Sequence, residues 1–123
     1  MKVWTIRWVP IFVAAMAIGT AQAQTSAVPP GAGTAASPYQ ISQLAHLVWI
    51  GENAFFSSDK YYRLQNDIDA SPTAGWNSGA GFAPIGTPAL MFDGVFDGNA
   101  KTISRLTINR PPQVYEGLFG FCA

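Results

Sequence analysis

One cysteine and one histidine are all this chain holds of the residues most used for metal and thiol chemistry. A single cysteine, Cys122, excludes an internal disulfide, although exported domains of this size often depend on them. It lies in an apolar strand beside Phe121 and reads as a packing residue rather than a reactive thiol. A single histidine, His46, excludes the His-Glu-x-x-His motif of zinc peptidases. No cysteine or carboxylate stands at ligand spacing from it, so His46 reads as an ordinary surface residue. A Ser-x-Gly nucleophile elbow is missing as well. Charge is scarce, at 11% of residues, and seven Lys and Arg balance seven Asp and Glu. The lack of a basic block argues against nucleic acid and anionic membrane surfaces as partners. The longest apolar run, Trp8 to Gly19, is interrupted by Pro10 and falls short of the ~20 residues of a membrane span.

What flanks that run makes it an export signal. Lys2 and Arg7 precede it, and Ala21-Gln22-Ala23 supplies the small-x-small pattern of a cleavage site. Residues 1–23 are therefore expected to be a signal peptide and the protein secreted, extracellular or on the cell surface, with no membrane span after cleavage. The chain from Gln24 onward carries five Lys and Arg against seven Asp and Glu, a weakly acidic balance. Residues 24–38, "QTSAVPPGAGTAASP", hold no charge and no large side chain, and are expected as a flexible lead-in. Residues 39–123 have the length of one small domain.

Within that domain the spacing first predicts a helix over 42–50. Ser42 is placed to cap it, Leu44, Leu47 and Val48 share a face, and Gly51 stands where it should end. The period then shortens to two. In "KYYRLQNDIDA" the apolar Tyr62, Leu64 and Ile68 share one parity, while Arg63, Gln65, Asp67 and Asp69 take the other, the mark of a half-buried strand. Residues 70–91 are rich in Gly and Pro and predict a long loop anchored by Trp76, Phe82 and Ile85. Next comes "FDGVFDGNAKTISRLTI", residues 92–108, in which Phe92, Gly94 and Phe96 share parity and both rings are expected to point inward. Asp93-Gly94 and Asp97-Gly98-Asn99 are turn formers, with glycines able to take positive φ. The offset between Ile103 and Leu106 predicts a bend or bulge near Ser104-Arg105. "GLFGFC" then predicts a last apolar strand. The interval from Phe96 to Phe119 falls in the roughly 20–50-residue range of repeat units.

"GTAASPYQISQLAHL", "YYRLQNDIDA", "FAPIG", "FDGVFDGNAKTISRLTI" and "GLFG" stand in an order that resembles bacterial surface proteins with GLUG-type repeats. These are similar to filamentous-haemagglutinin-like adhesins, and like segments accompany IgA-specific metallopeptidases. The resemblance covers roughly residues 33–121. It implies an all-β fold, a right-handed parallel β-helix started by a short N-terminal capping helix. Family members usually carry glycine where this chain has Ala100-Lys101, and they continue through further repeats. Residues 39–123 are accordingly expected to be the N-terminal part of a longer β-helix.

The function implied is a non-catalytic, adhesin-like structural or interaction module that needs no cofactor. Expected partners are further repeats of a longer chain, self-association through residues 117–122, and glycans or proteins of a host or cell surface. Asp67, Asp69, Asp93 and Asp97 are weak calcium candidates. Pectate-lyase-like β-helix enzymes pair such aspartates with calcium and a strong base, which Lys101 or Arg105 could supply. A fragment of that kind of enzyme is the alternative. Each aspartate also has a local reason for its place, flanking a turn or facing water.

Overall fold

Parallel pairing between segments far apart in sequence organises the chain. The computed structural model describes residues 24–54 and 57–123, so the expected signal peptide lies outside the described residues. Strand β1 (Tyr39–Ile41) is followed by helix α1 (Leu44–Glu52), then β2 (Tyr61–Leu64) and β3 (Ile68–Asp69). Two 3-10 turns, Ser71–Gly75 and Asn77–Gly79, lead to β4 (Val95–Asp97) and β5 (Ile103–Ser104). β1, β2 and β4 form one sheet in that order, and β3 pairs β5 in a second. All three pairings are parallel, with Tyr39 opposite Tyr62, Tyr62 opposite Phe96, and Ile68 opposite Ile103.

This is a mixed fold, and it corrects the expected all-β, right-handed parallel β-helix. The described residues form one nine-residue helix and strands of two to four residues in two small sheets, with no solenoid and no closed β-helix. The helix is not a cap ahead of the first strand, because it follows β1 and joins it to β2. The strands stop early for local reasons. Asn99, Ala100 and Arg105 all have φ between 50° and 58°, left-handed values that end an extended ladder. The Phe96-to-Phe119 interval is not a repeat step either. Phe96 pairs Tyr62, whereas Phe119 bridges Ile85. "GLFGFC" makes only the single bridges of Phe119 to Ile85 and of Cys122 to Phe92, and no strand.

The period-two reading of residues 61–69 does place the core. Tyr62, Leu64 and Ile68 are buried and Arg63, Gln65, Asp67 and Asp69 exposed. Leu47, Val48 and Ile50 of α1 close over them, and the loop anchors Trp76, Phe82 and Ile85 are buried with them. Burial raises the Tyr62 phenol to about 12, with Tyr39 adding to the shift, so it stays neutral. Helix α1 begins two residues later than expected. Gln43 is its N-cap without a side-chain bond, and Asn53, not Gly51, ends it through its backbone N–H and its amide to Trp49 O.

The two Phe-Asp-Gly triplets differ in what their glycines do. Neither Gly94 nor Gly98 takes a positive φ, which falls instead on Asn99 and Ala100. Gly94 is needed for space, since a Cβ there would stand 2.9 Å from Ser57 O and from the Tyr62 ring. Gly98 has open space around it.

Two buried hydroxyls hold the parallel layers together, and nothing in the periodicity marked them. Ser57 Oγ donates to Ala54 O at 2.7 Å and accepts the Asp93 N–H at 2.8 Å. Thr73 Oγ1 donates to Ala70 O at 2.6 Å and accepts the Thr107 N–H at 2.9 Å. Each hydroxyl thus ends one turn and satisfies a main-chain donor 36 or 34 residues away. Thr73→Val keeps the shape but removes the acceptor, and is expected to lower unfolding free energy by about 1–3 kcal/mol. Thr73→Ser should lose less than half of that. Urea denaturation of the three proteins checks it, and equal losses in both variants would count against the bond.

Candidate functional site

The exposed parity of the three-stranded sheet builds a polar face. Gln40 lies opposite Arg63 and Arg63 opposite Asp97, one from each strand. Arg63 Nε is 3.5 Å from Asp97 Oδ2, and its Nη2 donates to Asn99 Oδ1 at 2.7 Å. Asn99 in turn donates to Leu64 O at 3.0 Å, so the turn after β4 is tied to the end of β2. Beside this row is a recess of about 380 Å³ lined by Ser37, Gln40, Arg63, Gln65 and Asn99. At the edge of the sheet a second hollow, of about 230 Å³, is apolar, with Phe92, Phe96 and Phe119 in its walls.

Asp69 ends β3 and Asp97 ends β4, while Asp67 and Asp93 stand just before those strands. Asp67 Oδ1 accepts the Thr102 N–H at 2.8 Å, and Asp97 Oδ1 accepts the Asn99 N–H at 2.8 Å. Asp69 Oδ1 accepts the Ser71 N–H at 2.9 Å. That bond first, and the Arg105 guanidinium after it, hold the Asp69 carboxyl below its ordinary pKa. Asp93 is exposed and follows Phe92. Among the described residues no three His, Cys, Asp or Glu come together. Arg105 grips Asp69 through Nε at 3.2 Å and Nη2 at 3.0 Å. As an exposed ion pair this contributes little stability, but it fixes the kink at β5. A side chain held this way is not poised as a base. Lys101 is exposed in the turn after Asn99.

His46 departs from its expected surface position, being buried on α1. Its Nδ1 accepts the Ser42 N–H at 3.1 Å, which puts the ring proton on Nε2; Gln43 Nε2 stands 3.1 Å from it, so the Gln43 amide must turn its oxygen to that proton to accept it. Ser42 therefore fastens the helix start through its backbone, not through a side-chain cap. Desolvation lowers the His46 pKa below 6.5. An unfolded chain takes a proton near 6.5 while the folded one resists it. Stability is thus full above about pH 6.5 and falls as pH drops through that value. Urea midpoints should decline between about pH 7.5 and 5.5 in the parent and stay level in His46→Gln. Parallel curves would contradict this role. Cys122, expected within a strand, is exposed beside its single bridge to Phe92.

Comparison with known proteins adds two relatives. Over 99 residues, 79% of this chain, it is 48% identical to halomucin of Haloquadratum walsbyi, of which that stretch is 1%. Over 99 residues, 80% of the chain, it is 35% identical to a protein of Evansella cellulosilytica described as a Gly-rich membrane protein, of which the stretch is 11%. The chain therefore spans a small fraction of the length of either relative. Neither description mentions GLUG repeats or IgA cleavage. No family model and no solved structure matches the chain. No helix among the described residues is long and apolar enough to cross a membrane.

Proposed function

We propose that this protein is a non-catalytic structural or interaction module that works outside the cell or at its surface, in an adhesin-like role. The observation that carries this is the match of one stretch of about 99 residues to small parts of two far longer proteins. By name, one of those is a mucin and the other a membrane protein. A stretch found in such different settings behaves as a reusable unit rather than as the catalytic centre of one enzyme. The export signature of residues 1–23 points the same way. So does the chemistry of the polar face, where Arg63 and Arg105 are tied to Asp97 and Asp69.

Cell fractionation with an antibody against residues 24–123 tests the location. Recovery in the envelope or the medium is expected, and recovery in the cytosol alone would overturn it. Incubation with polygalacturonate and calcium tests the absence of catalysis. No unsaturated product is expected, and its release would transfer the assignment to a polysaccharide lyase.

A further inference from the structure

Residues of the segments 83–88 and 110–115 line a pocket of about 240 Å³ that shares none of its walls with the Arg63 recess. We propose that this pocket binds a carboxylate-bearing sugar ring, a uronate, through the guanidinium of Arg110. This partner class extends the surface role proposed above and depends on it. Three arginines occur among the described residues, and two have carboxylate partners: Arg63 with Asp97 and Arg105 with Asp69. The Arg110 side chain has none. Its Nη2 donates to Gly81 O at a long 3.3 Å, and its Nε–H is shut off from solvent with no acceptor. The nearby acid, Glu116, is occupied by the backbone N–H of Arg110 at 3.1 Å. Buried donors are almost always satisfied in folded proteins, and a guanidinium matches the two oxygens of a carboxylate. A carboxylate seated in the pocket neutralises the charge and gives the guanidinium acceptors to turn towards.

The rest of the lining fits a sugar ring. Pro84, Pro88 and Tyr115 offer apolar surface to the C–H face of a ring. Gln113 brings an amide, and Thr87 a hydroxyl. Thr87 Oγ1 already accepts the Leu90 N–H at 3.0 Å, so its own O–H is left to donate. The volume lies below the ~300–1,000 Å³ of drug-sized sites and suits a single ring. The walls are set before any ligand arrives. Ile85 N–H donates to Leu118 O and Gln113 N–H to Arg110 O, both at 2.8 Å, and Tyr115 sits edge-on to Phe121 at 5.2 Å.

Amide chemical shifts of residues 24–123 during titration with galacturonate, galactose and N-acetylalanine test the site. Galacturonate should shift the amides of 85–87 and 113–115 with a Kd of about 1–10 mM, and galactose should shift none at the same concentration. Arg110→Gln should abolish the response, and Arg63→Gln should leave it intact. Mapping shifts on the parent protein keeps the test decisive if Arg110→Gln fails to fold. Shifts that fall on the Arg63 recess, or none up to saturation, overturn the site. A galactose response equal to galacturonate removes the carboxylate, and an equal N-acetylalanine response removes the sugar. Any of these leaves the surface location standing, since fractionation decides that separately.

Discussion

Phe92→Ala should lower the unfolding free energy by about 3–5 kcal/mol, the range for deleting a buried aromatic ring. Phe92 is buried with its ring centre 5.5 Å from that of Tyr62 and 4.9 Å from that of Phe119. Its backbone is engaged too, donating to Phe121 O and accepting from Ala123 N–H, both at 3.0 Å. Truncation leaves a cavity between β2 and the 118–122 segment that neither can close without giving up those bonds. Phe96→Ala should lose clearly less. Phe96 meets Phe119 edge-on at 5.2 Å, but it is only half-buried. Urea midpoints of both variants at neutral pH decide this. Equal losses would show that both rings are core.

That contrast marks how far the residues could be read in advance. Parity put Phe92 and Phe96 on one face, and the structure agrees. It could not show that β4 is the edge of its sheet, with no strand beyond it among the described residues to cover Phe96. The buried anchors Trp76, Phe82 and Ile85 were legible as the large apolar residues of a Gly- and Pro-rich loop, although Leu90 and Met91 at its end stay exposed. The bend at Arg105, one of the two forms a broken alternation allows, was legible from that alternation. The β-helix was not correct, because short apolar strands and Asp-Gly corners are shared by many folds. The number and length of the pairings come from long-range contacts that no local pattern encodes. Ser57 and Thr73 were invisible for a related reason. Each hydroxyl is defined by a backbone partner 34 to 36 residues away. His46 was misplaced because a lone polar residue on an apolar helix face signals neither burial nor its partners. Of the candidate site, the exposed polar row followed from parity, while the guanidinium of Arg110, without a carboxylate partner, appears only once chain segments meet.

A second large effect is expected at Gly81, where the backbone rather than a side chain decides. Gly81 has φ +80°, and a Cβ added there would lie 2.1 Å from Thr107 O. The same region carries the antiparallel bridge of Gly81 to Ile108, the Phe82 N–H bond to Thr107 O at 2.8 Å, and the Asn109 N–H bond to Ala80 O at 2.9 Å. Alanine brings both left-handed strain and a collision with main chain that cannot rotate away. Gly81→Ala should therefore lose about 3 kcal/mol or more, the upper end for a single strained backbone site. Gly98→Ala is the control, since Gly98 has neither a positive φ nor a neighbour within 4 Å. It should change stability by no more than about 0.5 kcal/mol. Thermal melts of the two variants side by side give the comparison, and similar melting temperatures would contradict the packing at residues 80–82.

Display outside the cell can be read at a single atom. Cys122 is the only cysteine in the chain, and its side chain is exposed. A membrane-impermeant maleimide added to intact cells should label Cys122 to the same extent as in lysed cells, and Cys122→Ser should remove the signal from both. Labelling that appears only after lysis would place the protein inside the cell and contradict its role as a surface module.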